Sequence, residues 1–385
     1  MPEGTSAARQ EEARPGVCGE TVSDTLEHAN TGLPNASGPD PRALAQRMAA
    51  LKAAARDKGY YDVPTFEQAR RVLELVAVPV AAFALLWMGG AFALVGLIVL
   101  GLHYPRTAYL GHDVAHNQWG PRDEAKARRV LGATALFQGF GAAWWVAKHE
   151  LHHAFPNACK VGEDGVLRPI DGDIDSAPWV IWDKLLAEHN RRSLPGGLGG
   201  RISWLMAKFQ VFMFLPLLSL ARLNWSTQSI ATAIREKKYQ EAALCSAHWV
   251  LGFALAAYLA PSVWIGLAWF LAAQLLGGFI LAFVFVLNHT GMEVYDASEA
   301  KGFYDRQARS TRNTPSSPVH DWLAGGLNSQ IEHHMFPTMA RRNLAKMRDA
   351  TRKAMQECGY AYEELGNGEA MRAVFRTLSE AAHAV

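Results

Sequence analysis

Long apolar stretches alternate with polar segments along the chain, and four of these stretches form two pairs. Residues 72–89 and 91–110 flank a Gly-Gly turn, and residues 242–260 and 263–287 flank Pro261. Each stretch approaches the ~20 residues that a helix needs to cross a bilayer. The pattern predicts an all-α, integral, multi-pass membrane protein with four transmembrane helices arranged as two hairpins.

Two other apolar stretches are weaker candidates for membrane spans. Residues 130–146 are interrupted by glycines, and residues 205–220 are short and include a lysine, a glutamine and a proline. We expect both to form interfacial helices at the membrane surface. With four spans, an even number of crossings separates His153 from His334, so both residues remain on one side of the membrane.

Basic residues concentrate at one end of the predicted hairpins. The turns near Gly89 and Pro261 carry no lysine or arginine, whereas the opposite ends carry Arg70, Arg71 and Arg341, among others. By the positive-inside rule, those ends, a polar cap and both chain termini are predicted to be cytoplasmic. The composition, rich in Ala, Gly and Arg, indicates a bacterial inner membrane. The net charge of +2 gives no reason to expect a nucleic-acid partner.

The two ends of the chain differ from its middle. Residues 1–41 contain few large apolar side chains and are predicted to be disordered. Residues 42–353 are predicted to form the membrane domain, and residues 354–385 are predicted to form a cytoplasmic helical tail.

Three short clusters of metal-binding residue types stand out in the polar segments. They are His112-Asp-Val-Ala-His116, His149-Glu-Leu-His152-His153 and Gln330-Ile-Glu-His333-His334. Residues three or four apart lie on one face of a helix, so each cluster directs its side chains the same way. Seven imidazoles exceed what one tetrahedral zinc ion uses, and imidazole also suits iron. The sequence predicts more than one metal ion, held where the membrane meets water.

A pair of iron ions fits this set of ligands best. Helical bundles hold di-iron centres with carboxylates and histidines, and here imidazoles replace most of the carboxylates. His289, which follows the last span, is an eighth candidate imidazole, and Gln330 takes the position that His149 has in the second cluster. The predicted ligands are His112, His116, His149, His152, His153, His289, Gln330, His333 and His334. Iron with open coordination positions can bind and reduce O2, which makes O2 the predicted co-substrate.

Polar neighbours of the ligands are candidates for holding them in place. Four are predicted to accept or share hydrogen bonds at the centre: Asp113, Glu150, Glu332 and Asn328. Three further carboxylates are predicted to belong to a polar cytoplasmic loop: Asp171, Asp173 and Asp175.

Three alternatives remain open from the residues alone. The second cluster contains the HExxH pattern of zinc hydrolases, in which Glu150 would be the general base of a membrane metalloprotease. A metal transporter would instead place its ligands along a pathway through the membrane. A di-iron hydroxylase, epoxidase or ketolase would have the same ligands as any other di-iron oxygenase.

The three clusters, in this order, resemble the histidine boxes of the membrane fatty acid desaturases. The glutamine at Gln330 resembles the front-end type, in which the third box begins with Gln in place of His. Residues 171–178 and 325–337 and the pair Asn288-His289 match further segments of that family. The resemblance covers about residues 59–352.

The resemblance implies an enzyme that takes O2, two electrons and an acyl chain and returns a cis double bond. The substrate would be an already unsaturated chain on CoA or on a membrane glycerolipid, and no catalytic residue would be needed beyond the metal centre. Many front-end enzymes of eukaryotes carry a fused cytochrome b5 domain with an HPGG motif, which this sequence lacks. We therefore expect no haem in this chain and a separate electron donor, either ferredoxin or cytochrome b5 with its reductase.

Overall fold

The computed structural model describes residues 38–119, 123–176, 179–193 and 197–385, which all belong to one compact unit. Most of the segment that is predicted to be disordered, residues 1–41, lies outside the described residues.

The described chain is mostly helical. The helices are α1 (Pro41–Asp57), α2 (Thr65–Met88), α3 (Gly90–Ala115), α4 (Glu124–Gln138), α5 (Ala142–Ala154), α6 (Lys184–Ser193), α7 (Gly197–Ser219), α8 (Ala221–Arg235), α9 (Tyr239–Leu259), α10 (Val263–His289), α11 (Phe303–Ser310), α12 (Pro318–Leu323), α13 (Gln330–Met335), α14 (Arg348–Glu357) and α15 (Asn367–Ala384). A 3-10 helix covers Arg341–Met347.

Five helices in the described part of the chain are long and apolar enough to cross a membrane: α2, α3, α7, α9 and α10. Four of them correspond to the predicted spans. Gly89 separates α2 from α3 with a φ of +72°, and Ser262 caps α10 by accepting a hydrogen bond from the backbone N–H of Ile265. The fifth, α7, begins at Gly197, eight residues before the predicted apolar stretch, and this added length gives it the dimensions of a span.

The predicted interfacial helix over residues 130–146 is two helices. The axes of α4 and α5 meet at 104°, and Gly139 between them has a φ of +81°. A Cβ atom at Gly139 would lie 2.5 Å from Cδ2 of His248, so the break also lets the chain approach α9 closely. Glycine tolerates both the left-handed conformation and the close approach.

A small sheet corrects the all-α prediction for the polar segments. Strand β1 (Ala158–Val161) pairs antiparallel with β2 (Leu167–Pro169) and parallel with β3 (Tyr295–Asp296). The strands are too short to show an alternating pattern in the sequence. The sheet joins the segment after α5 to the segment after α10.

The C-terminal residues are part of the fold. The predicted boundary after residue 353 falls inside α14. Val374 and Leu378 of α15 are buried against Phe214 of α7 and Val286 of α10. Burial of this apolar face ties α15 to α7 and to α10, which carries His289, so the segment over residues 354–385 packs on these helices.

Candidate metal centre

Eight histidines converge from four helices into two adjacent groups. The five-histidine group consists of His112, His116, His149, His153 and His333. The three-histidine group consists of His152, His289 and His334. Within each group, one ring nitrogen of every member lies within 4.8 Å of those of the other members. The structure thus brings together all eight imidazoles that the sequence predicts as ligands.

Neighbouring histidines divide between the groups because successive residues on a helix are rotated by ~100°. On α5, His153 joins the five-histidine group and His152 joins the other. On α13, His333 and His334 separate in the same way. The rings of His153 and His334 stack across the boundary with centroids 4.2 Å apart, so the two groups are in contact.

The spacing of the nitrogens fits metal ligation. Nε2 of His112 lies 3.2 Å from Nε2 of His333, and Nε2 of His149 lies 3.1 Å from Nε2 of His153. Two neighbouring ligands of one ion, each about 2.1 Å from it, have nitrogens separated by roughly 3.0 to 3.4 Å. The observed separations lie in this range.

The state of the rings also fits a metal. Nε2 of His116 and Nε2 of His334 are buried and have no hydrogen-bond partner among the described residues. Burial lowers the pKa of His333 and His334 well below its ordinary value, so both rings are neutral. Neutral imidazole is the form that binds metal, and unpaired buried nitrogens are rare without a ligand.

Gln330 lies where the sequence places it, beside the three-histidine group. Its side-chain amide is 2.8 Å from Nε2 of His289, and Asn288 donates a hydrogen bond to Oε1 of Gln330 over 3.3 Å. The amide is buried with the imidazoles. It can complete the three-histidine group as a weak ligand or hold a water molecule there.

The outer nitrogens of the three-histidine group are all hydrogen-bonded. Nδ1 of His152 lies 2.9 Å from a carboxylate oxygen of Asp171. Nδ1 of His289 lies 2.9 Å from the carbonyl oxygen of Ser310, and Nδ1 of His334 lies 2.7 Å from Oε1 of Gln307. Acceptors at Nδ1 fix the tautomer that leaves Nε2 free for a metal.

None of these three acceptors was predicted. Asp171 was assigned to a polar loop, but it is fully buried, and it also accepts a hydrogen bond from the backbone N–H of Asn157 over 2.8 Å. The match of residues 171–178 to a segment of the desaturase family was the available signal. Gln307 and the Ser310 carbonyl carry no signal, because their role depends on where α11 packs.

Asp113 lies beside His112, and neither its Oδ1 nor Nδ1 of His112 has a hydrogen-bond partner among the described residues. Its Oδ1 is 3.5 Å from Nδ1 of His112, and its Oδ2 is 2.6 Å from a guanidinium nitrogen of Arg71 and 3.3 Å from that of Arg341. The two arginines balance the charge of this buried carboxylate. Their contacts anchor the end of α3 that carries His112.

The other three predicted partners do not contact an imidazole among the described residues. Glu150 is exposed. Glu332 is buried but accepts hydrogen bonds from Asn313 and Tyr362 over 2.8 and 2.9 Å. The amide of Asn328 donates to the carbonyl of Pro315 and to Asp321. The helical rotation explains the error for both glutamates, since a residue next to a ligand points to another face.

A cavity of about 780 Å³ opens beside the two groups. Its walls come from α5, α7, α8, α10 and the segment after β2. The lining is largely apolar and includes Phe214, Leu218, Phe285 and Val286. His149 and His289, one from each group, line it as well. The volume suits an apolar ligand of moderate size.

Comparisons with known proteins agree with this geometry. The sequence model of fatty acid desaturases matches residues 86–366. The chain is 35% identical over 328 residues to an acyl-lipid (9-3)-desaturase of Physcomitrium patens, which covers 82% of this chain and 58% of that protein. It is 30% identical over 266 residues to a Delta(8)-fatty-acid desaturase of Euglena gracilis, with 65% and 58% covered.

A third relative, a Delta(6)-fatty-acid desaturase of Caenorhabditis elegans, is 30% identical over 297 residues, with 71% of this chain and 61% of that protein covered. The chain therefore spans about three fifths of the length of these relatives. The match of the family model extends from the last residues of α2 to the residue before α15 and includes every histidine of both groups. The family identified from the three histidine clusters is confirmed: this chain belongs to the fatty acid desaturase family.

Proposed function

We propose that the chain is an oxygen-dependent acyl desaturase that introduces a cis double bond into an already unsaturated fatty acyl chain. The observation that carries the proposal is the cavity that meets both histidine groups. An acyl chain in this cavity would pass His149 and His289 at once. The comparisons support the same reaction class, because the relatives named above are desaturases of the Delta(6), Delta(8) and (9-3) types.

Two iron ions are the metals that we propose for the two groups. The five-histidine group and the three-histidine group with Gln330 would each hold one ion. Iron bound there would supply the oxidising centre for an unactivated C–H bond. Two hydrogens from the acyl chain, with two electrons from the donor and two protons from the solvent, balance the reduction of one O2 to two waters.

The protein's own residues would hold the chain and exclude water. Trp145 stacks on His149 with ring centroids 4.2 Å apart, which fixes the ring at the cavity wall. The apolar side chains of Phe285 and Val286 face the same space. Holding one stretch of the acyl chain against this wall would set the position of the new bond. The electron donor is proposed to be a separate ferredoxin or cytochrome b5 with its reductase.

The proposed topology has four spans, α2, α3, α9 and α10, with the histidines and both termini in the cytoplasm. The contacts of α7 support an interfacial position for this fifth candidate. Gln210, near its middle, donates a hydrogen bond to the Leu378 carbonyl of α15 over 2.8 Å. Leu218, near its end, packs on Val286, one turn before the end of α10. If α7 crossed the membrane, it would contact α15 over only a few turns before it entered the bilayer. A bacterial inner membrane stays a prediction.

Product analysis tests the proposed function. A host that expresses the chain and is fed unsaturated fatty acids should accumulate products two hydrogens lighter, with a new double bond that mass spectrometry can locate. His152→Ala should reduce the product to the background of the host, because it removes a ligand from the three-histidine group. His320→Ala is the matched control, since His320 lies outside both groups. Full product formation by His152→Ala would contradict the proposal.

The same assay separates the alternatives. A hydroxylase or epoxidase would add oxygen to the product and so increase its mass. A zinc hydrolase would form its product without O2, and the exposed position of Glu150 argues against it, because the HExxH mechanism needs that carboxylate at the metal.

A further inference from the structure

We propose that the acyl chain enters the cavity while it is attached to a zwitterionic glycerophospholipid. In this proposal, the mouth of the cavity recognises the phosphate and the ammonium of the lipid headgroup. The inference rests on the proposed desaturase function and names the carrier of its substrate.

The charges at the cavity mouth carry the proposal. Among the described residues that line the cavity, Lys148 is the only lysine or arginine, and Asp173 and Asp175 are the only carboxylates. This described lining, with one cation and two carboxylates, matches a headgroup that has one phosphate and one ammonium. The phosphate would pair with the lysine, and the ammonium would pair with a carboxylate.

Lys148 is placed to bind the phosphate. Its ammonium lies 3.2 Å from Oδ1 of Asp173 and 5.4 Å from the centre of the Trp144 ring. The pair with Asp173 uses one of the three N–H donors of the lysine, and the other two remain for phosphate or ester oxygens. Gln228, which accepts a hydrogen bond from Nε1 of Trp144 over 3.1 Å, borders the same mouth.

Asp175 and Trp179 are placed to bind the ammonium. Asp175 is exposed and has no ion-pair partner among the described residues. Trp179 lines the same mouth and is 58% exposed. An aromatic face attracts an alkylated ammonium group, and a carboxylate that lines the same cavity would add a charge of opposite sign.

Coenzyme A has the wrong charges for this mouth. It carries several phosphates and no fixed positive charge at neutral pH, and proteins bind such groups with clusters of arginine and lysine. The two aspartates would repel those phosphates. Among the described lining residues, Lys148 alone would have to compensate for them.

The rim of the cavity gives a second, independent reason to propose a phospholipid as the carrier. Leu220 lines the cavity and is 44% exposed. It continues an exposed apolar face of α7 that includes Phe209, Phe212 and Leu215. An apolar helix face at the interface lies among lipid chains. A phospholipid could insert one acyl chain into the cavity while its second chain stays in the bilayer along this face.

Photolabelling of the purified full-length chain tests the proposal directly. The probe is a phosphatidylcholine with one photoactivatable acyl chain, and labelled peptides from α8 and α10 report occupancy of the cavity. Unlabelled dioleoyl-phosphatidylcholine should compete at least about tenfold better than oleoyl-CoA or dioleoyl-phosphatidylglycerol, the difference expected from one charged contact. Equal competition by oleoyl-CoA would overturn the carrier assignment, and equal competition by phosphatidylglycerol would overturn the recognition of the ammonium.

A charge-reversing variant of Asp175 tests whether this residue recognises the ammonium of the headgroup. Asp175→Lys should lower phosphatidylcholine labelling about tenfold and increase competition by oleoyl-CoA. Glu163→Lys makes the same change of charge at an exposed position that does not line the cavity, and its labelling should match that of the unmodified chain. Unchanged labelling of Asp175→Lys would overturn the proposal. Equal iron content in all three proteins excludes a general loss of structure.

The outcome separates this proposal from the proposed function. If phosphatidylcholine labels the cavity but the expressing host makes no desaturated product, the desaturase assignment fails, while the recognition of a zwitterionic phospholipid at the cavity stands. If the host makes the product but oleoyl-CoA displaces the probe, the desaturase assignment stands and the carrier assignment fails.

Discussion

The two histidine groups differ in how their rings are held. Four of the five rings in the five-histidine group come from two pairs spaced four residues apart, on α3 and α5. The three rings of the other group come from three different helices, α5, α10 and α13. Each of these three donates to, or shares a proton with, an acceptor outside the group, whereas Nδ1 of His153 has no partner among the described residues.

The difference shows two ways to orient a ligand. Residues four apart on a helix already point the same way, so packing of the helix fixes both rings together. Rings from separate helices share no such constraint, and each needs its own hydrogen bond to keep its orientation and tautomer. The three-histidine group should therefore be the more sensitive of the two to changes in surrounding residues.

Loss of a ligand should have the largest effect and should differ between the groups. His149→Ala and His334→Ala should both reduce product to background, because each removes a ligand of an ion that the reaction needs. His149→Ala leaves four imidazoles in its group and should retain much of its iron. His334→Ala leaves two and should lose about one ion per chain. Metal analysis of the purified variants measures this, and equal loss of iron would contradict the comparison.

Asp171→Asn should have the next largest effect. The amide keeps the size of the carboxylate but loses the charge that orients His152, so metal affinity and activity should fall on the order of 10- to 100-fold. Asp175→Asn, in the same segment but exposed, is the control for metal affinity and should leave iron content unchanged. An iron content of Asp171→Asn equal to that of the control would show that packing alone orients His152.

The two groups should also differ in the pH dependence of metal binding. His152 lies on α5, outside the four proposed spans; burial lowers its pKa, but Asp171 and Asp173 outweigh burial and raise the pKa to about 9. In the metal-free chain this ring is protonated at neutral pH, and a metal ion must displace the proton. Affinity at the three-histidine group should rise about tenfold per pH unit up to about pH 9 and then level off.

The five-histidine group should show no such rise near neutrality, because burial lowers the pKa of His333 well below its ordinary value and keeps that ring neutral. Competition between the metal-free protein and a chromophoric chelator for Co²⁺ measures both affinities between about pH 6.5 and about pH 8.5. Asp171→Asn should flatten the rise. If metal affinity rose equally with pH in the two groups, the proposed role of Asp171 and Asp173 in raising the pKa of His152 would be wrong.

The same comparison explains what the sequence could predict. Helical periodicity identified the pairs His112–His116 and His149–His153, since it depends only on local structure. The order of the three histidine clusters resembles that of the fatty acid desaturases, and this resemblance indicated that the third cluster belongs to the same centre. The acceptors of the three-histidine group could not be found this way, because Gln307 reaches His334 only through the packing of α11 on α13.

The fold was predictable to a similar extent as the site. The four long apolar helices follow from composition and length, and Gly89 indicates the first turn. The break at Gly139 is harder to predict, because the close approach to His248 of α9 that requires a glycine there joins distant parts of the chain. The length of α7 and the short sheet likewise depend on contacts between distant segments.

Glu150→Gln should have the smallest effect, a change in activity of less than about twofold, since surface substitutions away from a site rarely matter. Glu150 lies between His149 and His152 in the sequence, yet its side chain is exposed while those of both neighbours are buried. If this carboxylate were a general base at the metal, its loss would cost about 10² to 10⁴ in rate. The measured rate of Glu150→Gln therefore tests whether the helix presents only its histidine face to the metals. A loss of that size would mean that the side chain reaches the five-histidine group during turnover.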